Sequence, residues 1–288
     1  MQEKCRLCEQ EAILLESHII PKFIYSYLKD TSPTGKLREA KNINLRKQDG
    51  IKLHWFCQSC ENIFSEWEKY FSEKIFYPLQ EDKVPIYYNE KFLKFCVSIS
   101  WRVLKFLLEE DYISDFSSEI KGKIQTALIA WRKLLLNEVD NPGVYEQHFY
   151  NFIGEIESKM FALSSNIHRY LQRSIAIDVI NWGSKAIIVY SKFPGLLLVG
   201  FIHIENRNTF RDTIVHVKRG TLQHQNFSIS QQLLNYIQTK ANRTDKIKRS
   251  LSSKQRKKIN EDYKKISMED VASSGTFQSL KRDIDLSS

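Results

Sequence analysis

CRLC, from Cys5 to Cys8, and HWFCQSCENIFSEWEKYF, from His54 to Phe71, are the most informative stretches of this chain. Each carries a C-x-x-C pair. The two-residue gap lets both sulfurs of a knuckle turn toward one ion while nearby backbone amides stabilise their charge, and zinc prefers a tetrahedron of thiolates. Four thiolates close the coordination sphere, which indicates a structural ion, because a catalytic zinc keeps one position for water. Cys5, Cys8, Cys57 and Cys60 are therefore the expected zinc ligands. Four unrelated buried cysteines and a redox pair are the competing readings, and neither pair sits in the strand-to-helix setting of a thioredoxin. His54 is a weaker substitute ligand. Cys96, the fifth cysteine, falls in an apolar helical pattern and reads as core.

Outward from the second pair, Phe64, Trp67, Phe71 and Ile75 recur at three- and four-residue steps, so an amphipathic helix opens at the knuckle and ends at Pro78. Upstream stand a strand-like run from Ala12 to Leu15, the segment SHIIPKF and a basic loop. An early knuckle, a strand, and a second knuckle merging into a helix make the outline of a treble clef, in which zinc supplies folding energy that a small core lacks.

Downstream, Phe92, Cys96, Ile99, Val103 and Phe106 mark a helix over 91–110, and a second helix is expected over Ile120 to Asn137. After the Asn141-Pro142-Gly143 turn, Val144 to Glu157 reads as a further helix. The texture then changes. SIAIDVIN, AIIVYSKF, LLLVGFIHIE and TIVHVKRG are β-branched runs separated by turn residues, which predicts a four-stranded antiparallel meander. Polar helices follow at Ser230 to Lys240 and Lys254 to Lys265. The fold class is thus α+β, divided as a zinc module over 1–80, a helical region over 81–170, a sheet with basic helices over 171–265, and a weakly ordered tail over 266–288.

With 42% hydrophobic and 27% charged residues the composition is that of a folded protein. Ala186 to Ile204, the longest apolar candidate for a membrane span, is interrupted by Lys192, Pro194 and two glycines. The opening residues hold Glu3, Lys4 and a cysteine pair rather than an apolar signal region, so a cytoplasmic chain without membrane contact is expected. The net charge of +9 is concentrated: Lys240 to Lys265 holds eleven basic and three acidic residues, and Lys36 to Lys52 six and two. Lys41, Arg46, Lys47, Arg256, Lys257 and Lys258 are the candidate nucleic-acid contacts, since such clusters suit phosphate backbones. A solvated, solubilising surface is the competing reading.

The order CRLC, ESHIIPKF, then FCQSCEN at a helix start resembles the HNH endonuclease family, whose ββα-metal module commonly carries zinc on two such cysteine pairs. The later part of the chain is similar to uncharacterised HNH-like proteins of bacteria and mobile elements. The resemblance to the nuclease module spans about the first 75 residues. It implies that His18, followed by Ile19, Ile20 and Pro21, is a general base and that Asn44 or Asn42 orients it. Glu61, after the last cysteine and before Asn62, would then touch a catalytic Mg2+ or Mn2+. Ser17 stands where the resemblance expects an acidic or histidine ligand, and a neutral hydroxyl is a poor ligand for magnesium. On this reading the metal stabilises charge on the leaving oxygen while His18 takes a proton from the attacking water. The plainer readings are a structural histidine and an acid favoured by the helix dipole.

Two functions follow. One is a metal-dependent HNH-type endonuclease hydrolysing phosphodiester bonds, in anti-phage defence or in a mobile element. The other is a non-catalytic, zinc-stabilised module that binds nucleic acid or a protein partner. DNA ranks before RNA as the polymer. A third reading places chemistry in the sheet half, at His203 or His216.

Overall fold

The first cysteine pair sits in a tight turn between two short paired strands, β1 (Glu3–Lys4) and β2 (Glu11–Ala12). Glu9 closes that turn in the left-handed region at φ +62°, and the Cys5 N–H donates to the carbonyl of Gln10 at 2.9 Å. These and all later statements come from a computed structural model that describes residues 2–154, 156, 163–223 and 227–286, without the side chain of residue 245.

Strand β3 (Leu15–His18) runs into α1 (Lys22–Asp30), then a basic hairpin of β4 (Leu37–Arg38) and β5 (Arg46–Lys47), then β6 (Lys52–Phe56). β6 returns antiparallel to β3, with Ser17 opposite Leu53 and His18 opposite Lys52. Cys57 is the N-cap residue of α2 (Gln58–Phe71), directly after β6, so the second pair does stand at a strand-to-helix junction, contrary to the sequence expectation. Pro78 does not end this helical run. A π-helical segment over Ser72–Phe76 leads into α3 (Tyr77–Gln80), with the proline in the first turn, where its fixed φ suits the helix.

Next come β7 (Ile86–Asn89), α4 (Glu90–Glu109) and α5 (Ser118–Leu135), the helices capped by Asn89 and Ser117. Most of α4 is buried, which makes it the central strut of the fold. Phe71 of α2 stacks on Phe95 of α4 at a centroid distance of 3.9 Å. The cysteines, α2, α4, α5 and one face of the main sheet share a continuous cluster of buried side chains.

That sheet comprises β8 (Gln147–Asn151) and, after α6 (Ile167–Arg173), strands β9 (Ala176–Asn181), β10 (Ala186–Phe193) and β11 (Leu196–Ile204), in the order β8-β11-β10-β9 and antiparallel throughout. β10 is buried along its whole length because both sheet faces are covered, which explains its unbroken apolar run. Ile187 and Val189 face the cluster around α4, whereas Ile188 and Tyr190 face a second cluster. Gly200 lets α4 approach, since a Cβ there would lie 2.5 Å from the Ser100 Oγ.

Three sequence expectations are corrected here. Residues 147–151 form a strand rather than part of a helix over Val144 to Glu157, because pairing with the open edge of β11 overrides local preference; Glu157 itself lies outside the described residues. TIVHVKRG is not the fourth strand of the meander: a 3-10 turn over Asn208–Thr213 precedes it, and β12 (Arg219–Leu222) pairs with β7. After α7 (Gln231–Arg249) and α8 (Ser253–Tyr263), residues expected to be weakly ordered form α9 (Met268–Ser273) and α10 (Gly275–Asp285). α10 is held against α6 by Asp283, which accepts from the His168 N–H at 2.8 Å and pairs with Arg169 at 2.7 Å. The cytoplasmic expectation meets only a coarse finding: no helix among the described residues is long and apolar enough to cross a membrane.

Candidate zinc centre and basic face

The two knuckles converge. Pairing of β3 with β6 carries Cys57 back to the first turn, the Arg6 N–H donates to the Trp55 carbonyl at 2.8 Å, and Leu7 between the first two cysteines is fully buried. α5 fixes the same turn, as the Arg132 Nε donates to the Leu7 carbonyl at 2.6 Å and its Nη2 pairs with Glu9 at 3.1 Å. The Sγ atoms of Cys5, Cys8, Cys57 and Cys60 all lie within 4.8 Å of one another, and those of Cys8 and Cys57 are 3.7 Å apart. A tetrahedral ion with Zn–S bonds of about 2.3 Å sets its sulfurs about 3.8 Å apart, so the cluster fits zinc.

Among the four sulfurs, the surroundings favour the thiolate at Cys5. Burial alone would push the Cys5 thiol up, but hydrogen bonds from the N–H groups of Cys57, Cys8 and Leu7 bring it down to about 7. Burial and neighbouring thiols hold Cys60 up, and burial does the same at Cys8. A cation at the centre would reverse these penalties. His54 is no ligand here, since its Nδ1 faces the Leu14 carbonyl at 3.2 Å.

The residues singled out for catalysis lie close in part but are engaged elsewhere. The Ser17 Oγ donates to Glu61 at 2.6 Å. His18 Nε2 lies 2.9 Å from Asp49 Oδ2, and Asp49 also accepts from the N–H of Gly50. Gly50 packs so tightly on the Tyr25 ring that a Cβ would lie 2.4 Å from it, which explains glycine at this position. Asn62 is exposed and accepts from Gln58 at 2.7 Å. Asn44 is remote in role from His18: it accepts from the Ser252 N–H at 2.9 Å and donates to the Ser250 carbonyl at 3.4 Å, tying the hairpin loop to the α7–α8 junction. Asn42 accepts from the Asn44 N–H.

Three residues that the sequence did not single out complete this region. Arg102 is 2% exposed, and its Nη1 donates to the His18 carbonyl at 2.9 Å and to Glu68 at 2.7 Å. Burial pushes the Glu68 carboxyl up, and the Arg102 charge pulls it back. Asp49 is the third. Arg102 could have been noticed as a charge at helical spacing among Ile99, Val103 and Phe106, and Glu68 as one beside Trp67 and Phe71. Among the described residues, the four cysteines are the only group of three or more Cys, His, Asp or Glu whose ligand atoms converge.

The two basic segments meet. Arg38 Nη2 donates to Gln255 of α8 at 3.2 Å, and Lys36 and Arg46 share Asp262 at 3.0 and 2.8 Å. Lys47 pairs loosely with Glu39 at 3.6 Å, and Lys41 bonds the Tyr112 hydroxyl. Lys254, Lys257 and Lys258 are exposed. Arg256 has a structural task, its guanidinium donating to the carbonyls of Leu251 and Arg249 at the end of α7. His203 and His216 join no such cluster: the first meets the Ser184 carbonyl at 2.9 Å, and the second takes its backbone N–H to Tyr88.

The chain matches no family model, no curated protein and no solved structure among those compared.

Proposed function

We propose that this protein is a zinc-stabilised, non-catalytic nucleic-acid-binding module of treble-clef type, in which the four-cysteine centre braces a basic hairpin against basic α8. The observation that supports this reading is the junction of the two segments: Lys36 to Lys52 and Lys240 to Lys265 are far apart in sequence, yet Arg38–Gln255, Asn44–Ser252 and Arg46–Asp262 join them into one face. A continuous basic surface of this kind tracks a phosphate backbone better than either segment alone.

A hydrolytic reading of the same module needs a ligand set for a divalent cation beside His18. Ser17 and Glu61 are instead bonded to each other, and the Arg102 guanidinium lies against the His18 carbonyl.

The test is salt-dependent binding of a fluorescent duplex DNA. Replacing Lys254, Lys257 and Lys258 together by alanine should weaken binding and flatten the slope of log K against log salt by up to about 0.9 for each phosphate no longer neutralised. Arg256 is left intact because it caps α7. An unchanged slope would assign these lysines to solubility alone.

A further inference from the structure

A cleft of about 520 Å³ lies between the basic hairpin, α1 and the edge strand β9, within the range of about 300–1,000 Å³ typical of small-ligand sites. Its interior is apolar, built by Ile19, Tyr25, Leu28, Ile43 and Ile177. Lys36, Arg38, Lys47 and Arg173 also line it, as do two carboxylates that already have cationic partners, Glu39 on Lys47 and Asp49 on His18 and Lys52. Two of these cations differ from the rest. Arg38 donates to the Ile43 carbonyl and the Gln255 side chain, and Arg173 to the Thr31 hydroxyl and the Leu28 carbonyl. All four acceptors are neutral, so among the described residues neither guanidinium is neutralised by a bonded carboxylate. Each keeps its charge, and further N–H donors, for a ligand.

We infer that this cleft binds a nucleotide, its base among the isoleucines and Tyr25 and its phosphate on Arg38 and Arg173. The apolar walls require an uncharged, largely hydrophobic body, and the two guanidiniums require an anion attached to it. A fatty acid would meet both demands, but the cleft shares Lys36 and Arg38 with the basic face, where the anion on offer under the proposed function is a phosphate backbone. For a polymer the inference rests on the nucleic-acid reading, and it makes the bound form an unpaired nucleotide displaced from its stack. A free mononucleotide is the other source of the same chemistry.

The probes are 2-aminopurine ribonucleoside 5′-monophosphate, a single-stranded oligonucleotide with one central 2-aminopurine, and the same oligonucleotide fully paired. Ile43→Trp fills the cleft from the loop side, and Ala40→Trp does so from its exposed rim; the melting temperature of each identifies a variant that fails to fold. We expect the single strand to bind more tightly than the duplex, and a folded tryptophan variant to weaken single-strand binding about tenfold, the size of one base's stacking on the protein, while duplex binding stays the same. If the mononucleotide binds instead, and the tryptophan blocks it, the source is a free nucleotide and the cleft assignment stands even where no polymer binds. If oligonucleotides bind but neither folded variant alters any probe, the cleft inference falls and the basic face survives. Absence of binding by all three probes overturns both.

Discussion

The Ser17 hydroxyl donates a 2.6 Å hydrogen bond to the Glu61 carboxylate, so the two side chains that the HNH resemblance would turn toward a metal ion satisfy each other. Serine in place of an acid or imidazole therefore has a structural consequence beyond poor metal affinity: it supplies a donor that holds Glu61 in place. We expect the purified protein to leave plasmid DNA and RNA intact in magnesium or manganese. Glu61→Gln should retain zinc and nucleic-acid affinity, because an amide oxygen accepts the same bond, with a stability change of about 1 kcal/mol or less. Metal-dependent cleavage by the wild type that Glu61→Gln abolishes would restore the hydrolytic reading.

Metal analysis of purified protein should give one zinc per chain, a stoichiometry that follows from the single four-cysteine cluster among the described residues. Cys57→Ser should lose the ion and destabilise the chain cooperatively, since this residue both contributes a sulfur and opens α2. Folded, soluble wild-type protein free of zinc would remove the basis of the centre.

Arg102 offers a sharper stability test. Arg102→Met removes the partner of Glu68 and leaves a largely buried carboxylate, which should cost about 3–5 kcal/mol in urea unfolding. Adding Glu68→Gln should recover a large part of that loss. Equal stability of the single and double variants would show that the pair contributes through packing rather than charge.

Acid should loosen the hairpin through Asp49. Burial raises its carboxyl, but hydrogen bonds from His18 and the Gly50 N–H, with the charges of His18 and Lys52, outweigh that and hold it below the usual carboxylate range. A depressed pKa contributes stability above the unfolded value of about 3.9, and that contribution disappears as pH falls through the folded value. Asp49→Asn should therefore have a flatter acid limb of melting temperature against pH than the wild type. Parallel acid limbs would deny Asp49 this role.

Asn44→Ala changes no charge yet cuts the link between the hairpin loop and the α7–α8 junction. If the two basic segments act as one face, DNA affinity should fall by several-fold with little change in salt slope. Unaltered affinity at unaltered stability would mean that the Asn44 link is not what joins the two segments, the Arg38–Gln255 and Arg46–Asp262 contacts remaining in place.

Features with a local cause were legible in the order of residues. Cysteine spacing and the Phe64-Trp67-Phe71 stripe defined the four-cysteine cluster and its helix, and apolar periodicity located α4, α5, β9, β10 and β11, because burial of one face repeats with the geometry of the element. Features that depend on distant partners emerged only on folding. Residues 147–151 became a strand because β11 offered them an edge, and residues 219–222 left the meander for β7. His18 found Asp49, thirty-one positions away, rather than Asn44, and Arg102 reached the His18 carbonyl from a helix eighty-four positions later. Hydrogen bonds and ion pairs act over a few ångströms and carry no sequence period, so the convergence of two basic segments on one face becomes visible only when the chain is folded.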